Sequence, residues 1–382
     1  MPVRATKRGA ERTPLDREVD VLICGASFAG LTVARELRST GARVLLIDRY
    51  EIGERQTSAC AAPTEWLGNL GLEGSILQTF DSLVSHTPGR TVRWPLPFTF
   101  STFDYRALCA DLWAQCGDAE FETAKVHSRT GDIVRTDRGD IRARLIVDCL
   151  GWRRVLSNET SIQPPNARMS RGLEVHPPGS GEDLELWIDR RITPIGYGWS
   201  FPAGNELRIG IGSFDPHHHV KAETNSLSRE VGPEPDGYQG NWIPHKIRAG
   251  VEDGVFFVGD SAGHCIPLSA EGIRTAFYFG IACGRELRAV LEGRQHVATA
   301  LARYGEFTAE HDWKFDWMLR WQQGIPRLPP RVLSLVSASV RHRRLAHWAF
   351  NHYLRIAPPD FARPAPPEAA RGRIHQEEEI AA

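Results

Sequence analysis

Apolar and polar positions along this chain follow two periods, and the places where the period changes mark its elements. The stretch DVLICGASFAGLTVARELRSTGARVLLIDR, residues 20–49, begins as an apolar run. It then meets two glycines and a serine, takes helical spacing, and ends in a second apolar run at Asp48. This pattern predicts strand, turn, helix, strand. In FSTFDYRALCADLWAQC, residues 100–116, Tyr105, Leu108, Leu112 and Trp113 fall at helical spacing. IRARLIVDCLG predicts a strand ending at Asp148 and a turn at Gly151. Residues 184–213 change to short strands with period two, and Ala203, Gly204 and Asn205 give a hairpin signal. GVFFVGD, residues 254–260, returns to a buried parallel strand, and residues 270–292 predict a helix. Residues 301–356 are helical and rich in tryptophan, arginine and histidine.

These elements predict an α/β protein with a Rossmann-type FAD-binding domain of the glutathione-reductase kind, assembled from residues 19–60, 100–158 and 250–300. An antiparallel-sheet substrate domain, residues 61–99 and 159–249, is inserted into it. A helical region, 301–357, follows, with a loose basic arm at 1–18 and a proline-rich, charged, disordered tail at 358–382.

Composition narrows the classes. The chain has 382 residues, 24% charged and 41% hydrophobic, with a formal net charge of −1. That charge supplies no global attraction to nucleic acid or anionic lipid. No apolar run approaches the roughly 20 residues of a membrane span. The first 18 residues lack the apolar core of a secretory signal. Seven cysteines, none in CxxC spacing, fit reduced thiols, so the expected location is cytoplasmic.

The first βαβ unit carries the leading chemical signal. A dinucleotide fingerprint needs a tight turn, close approach of backbone to pyrophosphate, and a helix N-terminus aimed at the phosphates. Gly25 and Gly30 take the first and third glycine positions, Ser27 stands at the second, and Ala26 and Ala29 complete the loop. Asp48 falls where the ribose-binding acid is expected. Its carboxylate suits a ribose diol and would repel a 2′-phosphate, an exclusion that Arg49 weakens a little.

What separates FAD from NAD lies downstream, in VFFVGDSAGHCIPLSAEGIRTAFYFGIACGREL, residues 255–287. Gly259, Asp260, Ala262, Gly263, Pro267, Glu271, Gly272 and Ile273 match the pattern GD-x-AG-x-x-x-P-x-x-x-EGI. By this pattern the chain resembles the flavoprotein group that joins geranylgeranyl reductases with para-hydroxybenzoate hydroxylase-like monooxygenases. The resemblance implies that Asp260 hydrogen-bonds the FAD ribityl chain. It also implies that N–H groups near Gly272 and Ile273 face the flavin pyrimidine, where a helix N-terminus stabilises negative charge on reduced flavin. VDCLGWRRVL matches the group's second fingerprint through Asp148 and Gly151. FDYRALC resembles the segment whose arginine, here Arg106, lies against the cofactor.

Within the group, two segments resemble the geranylgeranyl reductases. EIGERQTSACAAP, residues 51–63, shares the EIG and offers Cys60 as a cysteine near the flavin; a small buried thiol is the other reading. GYGWSFP shares Y-x-W-x-F-P through Tyr197, Trp199, Phe201 and Pro202, which the resemblance places across the substrate cavity from the flavin. In a strand those three rings share one face, and that face must meet either a core or a ligand. Pro267 is a further expected substrate contact. His264 is a candidate proton relay, or a loop histidine bonded to backbone. No lysine stands between residues 50 and 124, which disfavours a halogenase of the flavin-dependent type. The histidines 217–219 lack a carboxylate at ligand spacing, so no metal is expected.

The expected activity is hydride transfer from reduced flavin to a C=C bond of an isoprenoid. NAD(P)H or a ferredoxin-like protein would be the transient electron donor. An FAD monooxygenase acting on an aromatic or isoprenoid compound, and a non-catalytic FAD-binding protein, are the alternatives. The arginine-rich helices at 331–355 either pack on the FAD domain or make peripheral membrane contact. An apolar small molecule is the expected partner and nucleic acid is not; the oligomeric state is left open.

Overall fold

The structure, a computed structural model, describes residues 13–56, 58–158, 169–232 and 237–363. Strand β1 (Arg17–Cys24) runs into α1 (Phe28–Glu36) and returns as β2 (Val44–Asp48). The chain then crosses to a second layer through β3 (Ala61–Pro63), α2 (Thr64–Asn69), and the long hairpin of β4 (Ile76–Thr87) and β5 (Arg90–Phe103). Helix α3 (Tyr105–Ala114) brings it back to β6 (Glu120–Thr123), β7 (Val126–Thr130), β8 (Ile133–Thr136) and β9 (Gly139–Asp148). A second excursion builds β10 (Met169–Val175), β11 (Leu184–Trp187), β12 (Gly196–Ala203), β13 (Glu206–Ser213), α4 (Lys221–Val231) and β14 (Gln239–Pro244). Strands β15 (Val251–Glu252) and β16 (Val255–Phe257) lead to α5 (Ile273–Leu291). Four helices follow: α6 (Val297–Ala309), α7 (Asp312–Gly324), α8 (Pro330–Ser339) and α9 (Arg343–Leu354).

The first sheet has the order β15-β16-β9-β1-β2-β6, with β8 paired to β9 and β7 to β8. Its pairs β16–β9, β9–β1, β1–β2 and β2–β6 are parallel. Such strands are buried on both faces and read as continuous apolar runs; Val21, Leu22, Ile23 and Cys24 have no exposure. The second sheet, β14-β10-β13-β12-β11-β4-β5-β3, is antiparallel except for β11 against β4. It presents one broad face toward the first layer.

Three boundaries differ from the sequence reading. Leu15 is buried and its N–H reaches the carbonyl of Arg138 at 2.6 Å, so the described part of the N-terminal arm (13–18) packs against the β8–β9 turn. Residues 100–103, expected in the FAD domain, are the end of β5 in the second sheet. At the other terminus, Pro359–Ala362 form a 3₁₀ turn. Asn69 Nδ2 donates to the Pro359 carbonyl (2.9 Å) and Arg285 to that of Phe361 (2.9 Å). The segment 358–363 is therefore docked on the core rather than disordered, because Asn69 at the end of α2 and Arg285 within α5 hold its carbonyls; the rest of the expected tail lies outside the described residues.

The terminal helices are tied to the start of α5. The Arg274 guanidinium is fully buried, pairs with Glu271 at 2.8 Å, and donates to the Leu354 and Ala357 carbonyls at 2.9 and 3.2 Å. Tyr353 adds its hydroxyl to the same Glu271 carboxylate. An unpaired buried charge would be costly, so this cluster fixes where α9 leaves the core.

Candidate active site

One cavity of about 1590 Å³ runs between the two sheets. Its inner end is made largely of backbone. Gly25 has φ +110°, and a Cβ there would fall 2.2 Å from the Cys149 carbonyl oxygen. A Cβ on Gly30 would fall 1.8 Å from the Gly25 carbonyl oxygen. Both positions therefore exclude any side chain. Ser27 has φ −113° and ψ −160°, ordinary extended backbone, so the second fingerprint position makes no such demand and tolerates serine. Its hydroxyl lies 3.1 Å from the Tyr105 hydroxyl.

Helix α1 begins after Ser27 with no side-chain cap, and α5 begins after Gly272, also uncapped. Ala26, Ser27, Phe28 and Ala29 line the cavity at one helix start, Gly272 and Ile273 at the other. Two helix N-termini with free N–H groups thus open on one cavity, which draws negative charge to both places.

Three carboxylates stand near this end, in different states. Asp48 accepts from the N–H of Ala26 (2.9 Å) and of Tyr50 (3.0 Å); burial pushes its pKa up against those bonds. It braces the glycine turn as well as lining the cavity, and each oxygen keeps lone-pair capacity for a ribose hydroxyl. Asp148 has no exposure and accepts from Leu150 and Leu156 at 2.9 Å each; burial lifts it to about 6. It shapes the 149–156 loop and does not line the cavity. Asp260 lines the cavity, and among the described residues no group donates to it; burial alone raises it to about 6. A half-buried carboxylate facing a cavity without a protein donor is a fit for the hydroxyls of a ribityl chain.

Around this end the expected residues separate. Arg49 joins Ala26, Ser27, Ala29, Asp48, Asp260, Gly272 and Ile273 in the wall. Gly25 and Gly30 lie behind it and shape the turn. Arg106 is exposed and outside the cavity; its backbone packs under Gly53, whose Cβ would fall 3.1 Å from the Arg106 Cα. Pro267 is buried and is not in the wall, which its neighbours Cys265 and Leu268 line.

Neither candidate catalytic residue lies in the cavity wall. Cys60 has no exposure and sits in the main apolar cluster, while its neighbours Ser58, Ala59 and Ala61 line the cavity. Burial raises its thiol well above the ordinary range. It is not in the cavity wall, where the thiols are Cys149 and Cys265. His264 is also unexposed and absent from the wall; its ring stacks on Phe279 at 3.6 Å and its Nδ1 accepts from the Gly259 N–H at 3.2 Å. Burial lowers its pKa well below the ordinary value, so it stays neutral and shapes the Gly259–Asp260 turn.

The outer half of the cavity is aromatic. Tyr197, Trp199 and Phe201 of β12 all face it, joined by Trp94, Leu96 and Phe100 of β5. Trp199 lies over glycines of the neighbouring strands: a Cβ on Gly210 would fall 2.2 Å from its Cζ2. The Tyr197 hydroxyl donates to the Ser269 carbonyl at 2.7 Å, tying the sheet to the loop before α5. Sequence reasoning missed the β5 rings, although RWPLPFTF alternates with period two. It also missed Glu174, an acid inside the apolar strand MSRGLEV. Glu174 lines the cavity and is 4% exposed. It accepts from Trp199 Nε1 at 3.0 Å and lies 2.6 Å from His176 Nε2. His176 Nδ1 in turn lies 3.7 Å from Glu206, which is half-exposed. Among the described residues no cluster of three or more His, Cys, Asp or Glu could hold a metal ion.

Residues 18–82 match the model of a family described as FAD binding domain. The chain is 25% identical over 332 residues to digeranylgeranylglycerophospholipid reductase 3 of Methanosphaera stadtmanae, covering 77% of this chain and 83% of that protein. It is 25% identical over 330 residues to geranylgeranyl diphosphate reductase of Rhodobacter capsulatus, covering 80% and 83%. Among solved structures, a geranylgeranyl bacteriochlorophyll reductase-like protein from Thermoplasma acidophilum superposes with a TM-score of 0.77 at 17% identity, covering 91% of this chain and 98% of that one. Two uncapped helix starts on one cavity, a Rossmann-type sheet and these likenesses define an FAD-dependent oxidoreductase. Within that class the chain is similar to the geranylgeranyl reductases.

Proposed function

We propose that the chain reduces C=C bonds of an isoprenoid, of geranylgeranyl or longer polyprenyl type. The observation that carries this reading is the continuity of the cavity from the helix start at Ile273 to the aromatic wall of Tyr197, Trp199 and Phe201. Its volume exceeds the roughly 300–1,000 Å³ of a small-ligand pocket, which suits a dinucleotide with a long apolar chain beside it. The names of the relatives support the same substrate class.

When bound, FAD supplies a hydride to one alkene carbon. The N–H groups of Ala26–Gly30 would hold its pyrophosphate, Asp48 and Asp260 its sugar and ribityl hydroxyls, and the start of α5 its flavin. Flat rings at 199, 201, 94 and 100 align an extended chain and exclude water. The second alkene carbon needs a proton. Glu174 is the acid in the substrate wall, with His176 Nε2 at 2.6 Å beside it. His264 and Cys60 have no part in this. NAD(P)H or a ferredoxin-like protein is the external donor; the described residues hold one dinucleotide fingerprint, so a nicotinamide would bind transiently.

The test is anaerobic incubation of the chemically reduced protein with a geranylgeranyl lipid, followed by mass spectrometry. Gain of hydrogen in pairs is the expected result. A hydroxylated product formed only on admitting oxygen would assign the chain to the monooxygenases.

A further inference from the structure

Eleven large apolar side chains are exposed among the described residues, and eight of them lie between Trp313 and Trp348. On α7, Trp313, Trp317 and Trp321 recur at helical spacing and are 69%, 52% and 47% exposed. Leu335 on α8 and Leu345 and Trp348 on α9 extend the patch. The three α7 rings and Trp348 also line the cavity. A side chain that is both exposed and in the wall stands at the rim, so the cavity opens on this patch.

Positive charge is in excess on these helices, most of all on α8, α9 and the turn between them. Residues 311–356 hold eight Lys and Arg and two Asp and Glu, in a chain whose net charge is −1. Arg341 and Arg344 are exposed, and Arg344 stands one helical turn before Trp348. A second copy of the chain would bring the same positive excess against this face, so self-association is opposed. An anionic lipid surface is attracted by the arginines and receives the tryptophans at its headgroup level. Among the described residues no helix is long and apolar enough to cross a membrane, which leaves a helix face lying on the surface.

We propose that α7, α8 and α9 dock on an anionic lipid bilayer and open the cavity into it. A membrane-held apolar chain then passes between the tryptophans into the cavity without crossing water. Docking of this surface goes beyond the proposed reduction and holds for any lipid substrate.

The test is sedimentation of the full FAD-bound chain with vesicles of phosphatidylcholine alone or with added phosphatidylglycerol, without substrate. Binding is expected to the mixed vesicles and to weaken with salt. Leu335→Ser with Leu345→Ser touches neither core nor cavity wall, and should lower partitioning about tenfold with an unchanged melting temperature. Arg341→Glu with Arg344→Glu should remove the preference for anionic vesicles, a loss of at least about tenfold. Absence of vesicle binding, or binding that neither pair of exchanges alters, would overturn the proposal. So would a solution dimer that Leu335→Ser with Leu345→Ser splits into monomers while vesicles are ignored, which would assign the face to a second copy. Failure here leaves the reduction chemistry untouched, because the readout involves no turnover.

Discussion

The two ends of the cavity are built on opposite principles. At the flavin end the groups that meet the ligand are backbone N–H donors, held by glycines that admit no side chain and by carboxylates bonded to the turns they shape. At the far end they are side chains: rings from β5 and β12, an acid from β10, tryptophans from two helices. The first kind of site is rigid and sensitive to every added atom. The second is adaptable, and each residue contributes a part. The difference fits the division of labour proposed above, one fixed cofactor and one long substrate that slides.

The largest expected effect is therefore at a glycine. Gly30→Val places carbon within 1.8 Å of the Gly25 carbonyl oxygen, so the turn has to shift. A loss of about 4 kcal/mol or more is expected, with no flavin in the purified protein. Thermal melting and flavin absorbance would check it; a yellow, stable variant would remove the contrast between the two ends.

At the far end, Glu174→Gln should keep flavin content and melting temperature and lower turnover about 100-fold, the scale of a positioned proton donor. Turnover, flavin absorbance and a pH–rate profile on one sample would show this. Equal turnover would move the proton source elsewhere. Trp199→Ala should act on both stability and turnover. The ring is 9% exposed, fills the space above Gly210 and donates to Glu174, so a cost of about 3–5 kcal/mol is expected.

Asp260 gives a smaller effect with a definite sign. Its pKa stands at about 6, above its ordinary 3.8. The folded protein thus holds this proton more tightly than the unfolded chain does, and flavin-free protein loses stability as pH rises through that window. The loss is about 2 kcal/mol once partial exposure is allowed for. Asp260→Asn should flatten the slope in part, since Asp148 contributes to the same window, and should weaken FAD above it. Denaturant unfolding on either side of the window is the measurement. The smallest effect belongs to Cys60→Ala: turnover within about twofold, because the thiol is enclosed in core. A large loss would return this cysteine to the chemistry.

The same contrast decides what could be read from the sequence. Glycines at 25 and 30, Asp48, and the run from Gly259 to Ile273 are close together and obey spacing, because local backbone geometry dictates them. The β12 rings were legible for the same reason, through strand alternation. Glu174, Trp94 and the helix tryptophans were not, since only the pairing of β10 with β13 and the docking of α9 by Arg274 bring them to one cavity. Cys60 and His264 each carried two readings from sequence, because residue type suggests reactivity, and their burial favours the structural one. Cys60 is a step away from the wall, and the His264 ring is enclosed against Phe279 with its Nδ1 accepting from the Gly259 N–H.

The central claim is that the flavin end delivers hydride to an alkene held at the aromatic end. It is tested most directly by mixing anaerobically reduced protein with a geranylgeranyl lipid and following the absorbance of oxidised flavin while sampling the lipid by mass spectrometry. The account predicts that flavin is reoxidised without oxygen, at the rate at which the lipid gains two hydrogens. Flavin that stays reduced until oxygen enters, with an unsaturated lipid recovered unchanged, would contradict it.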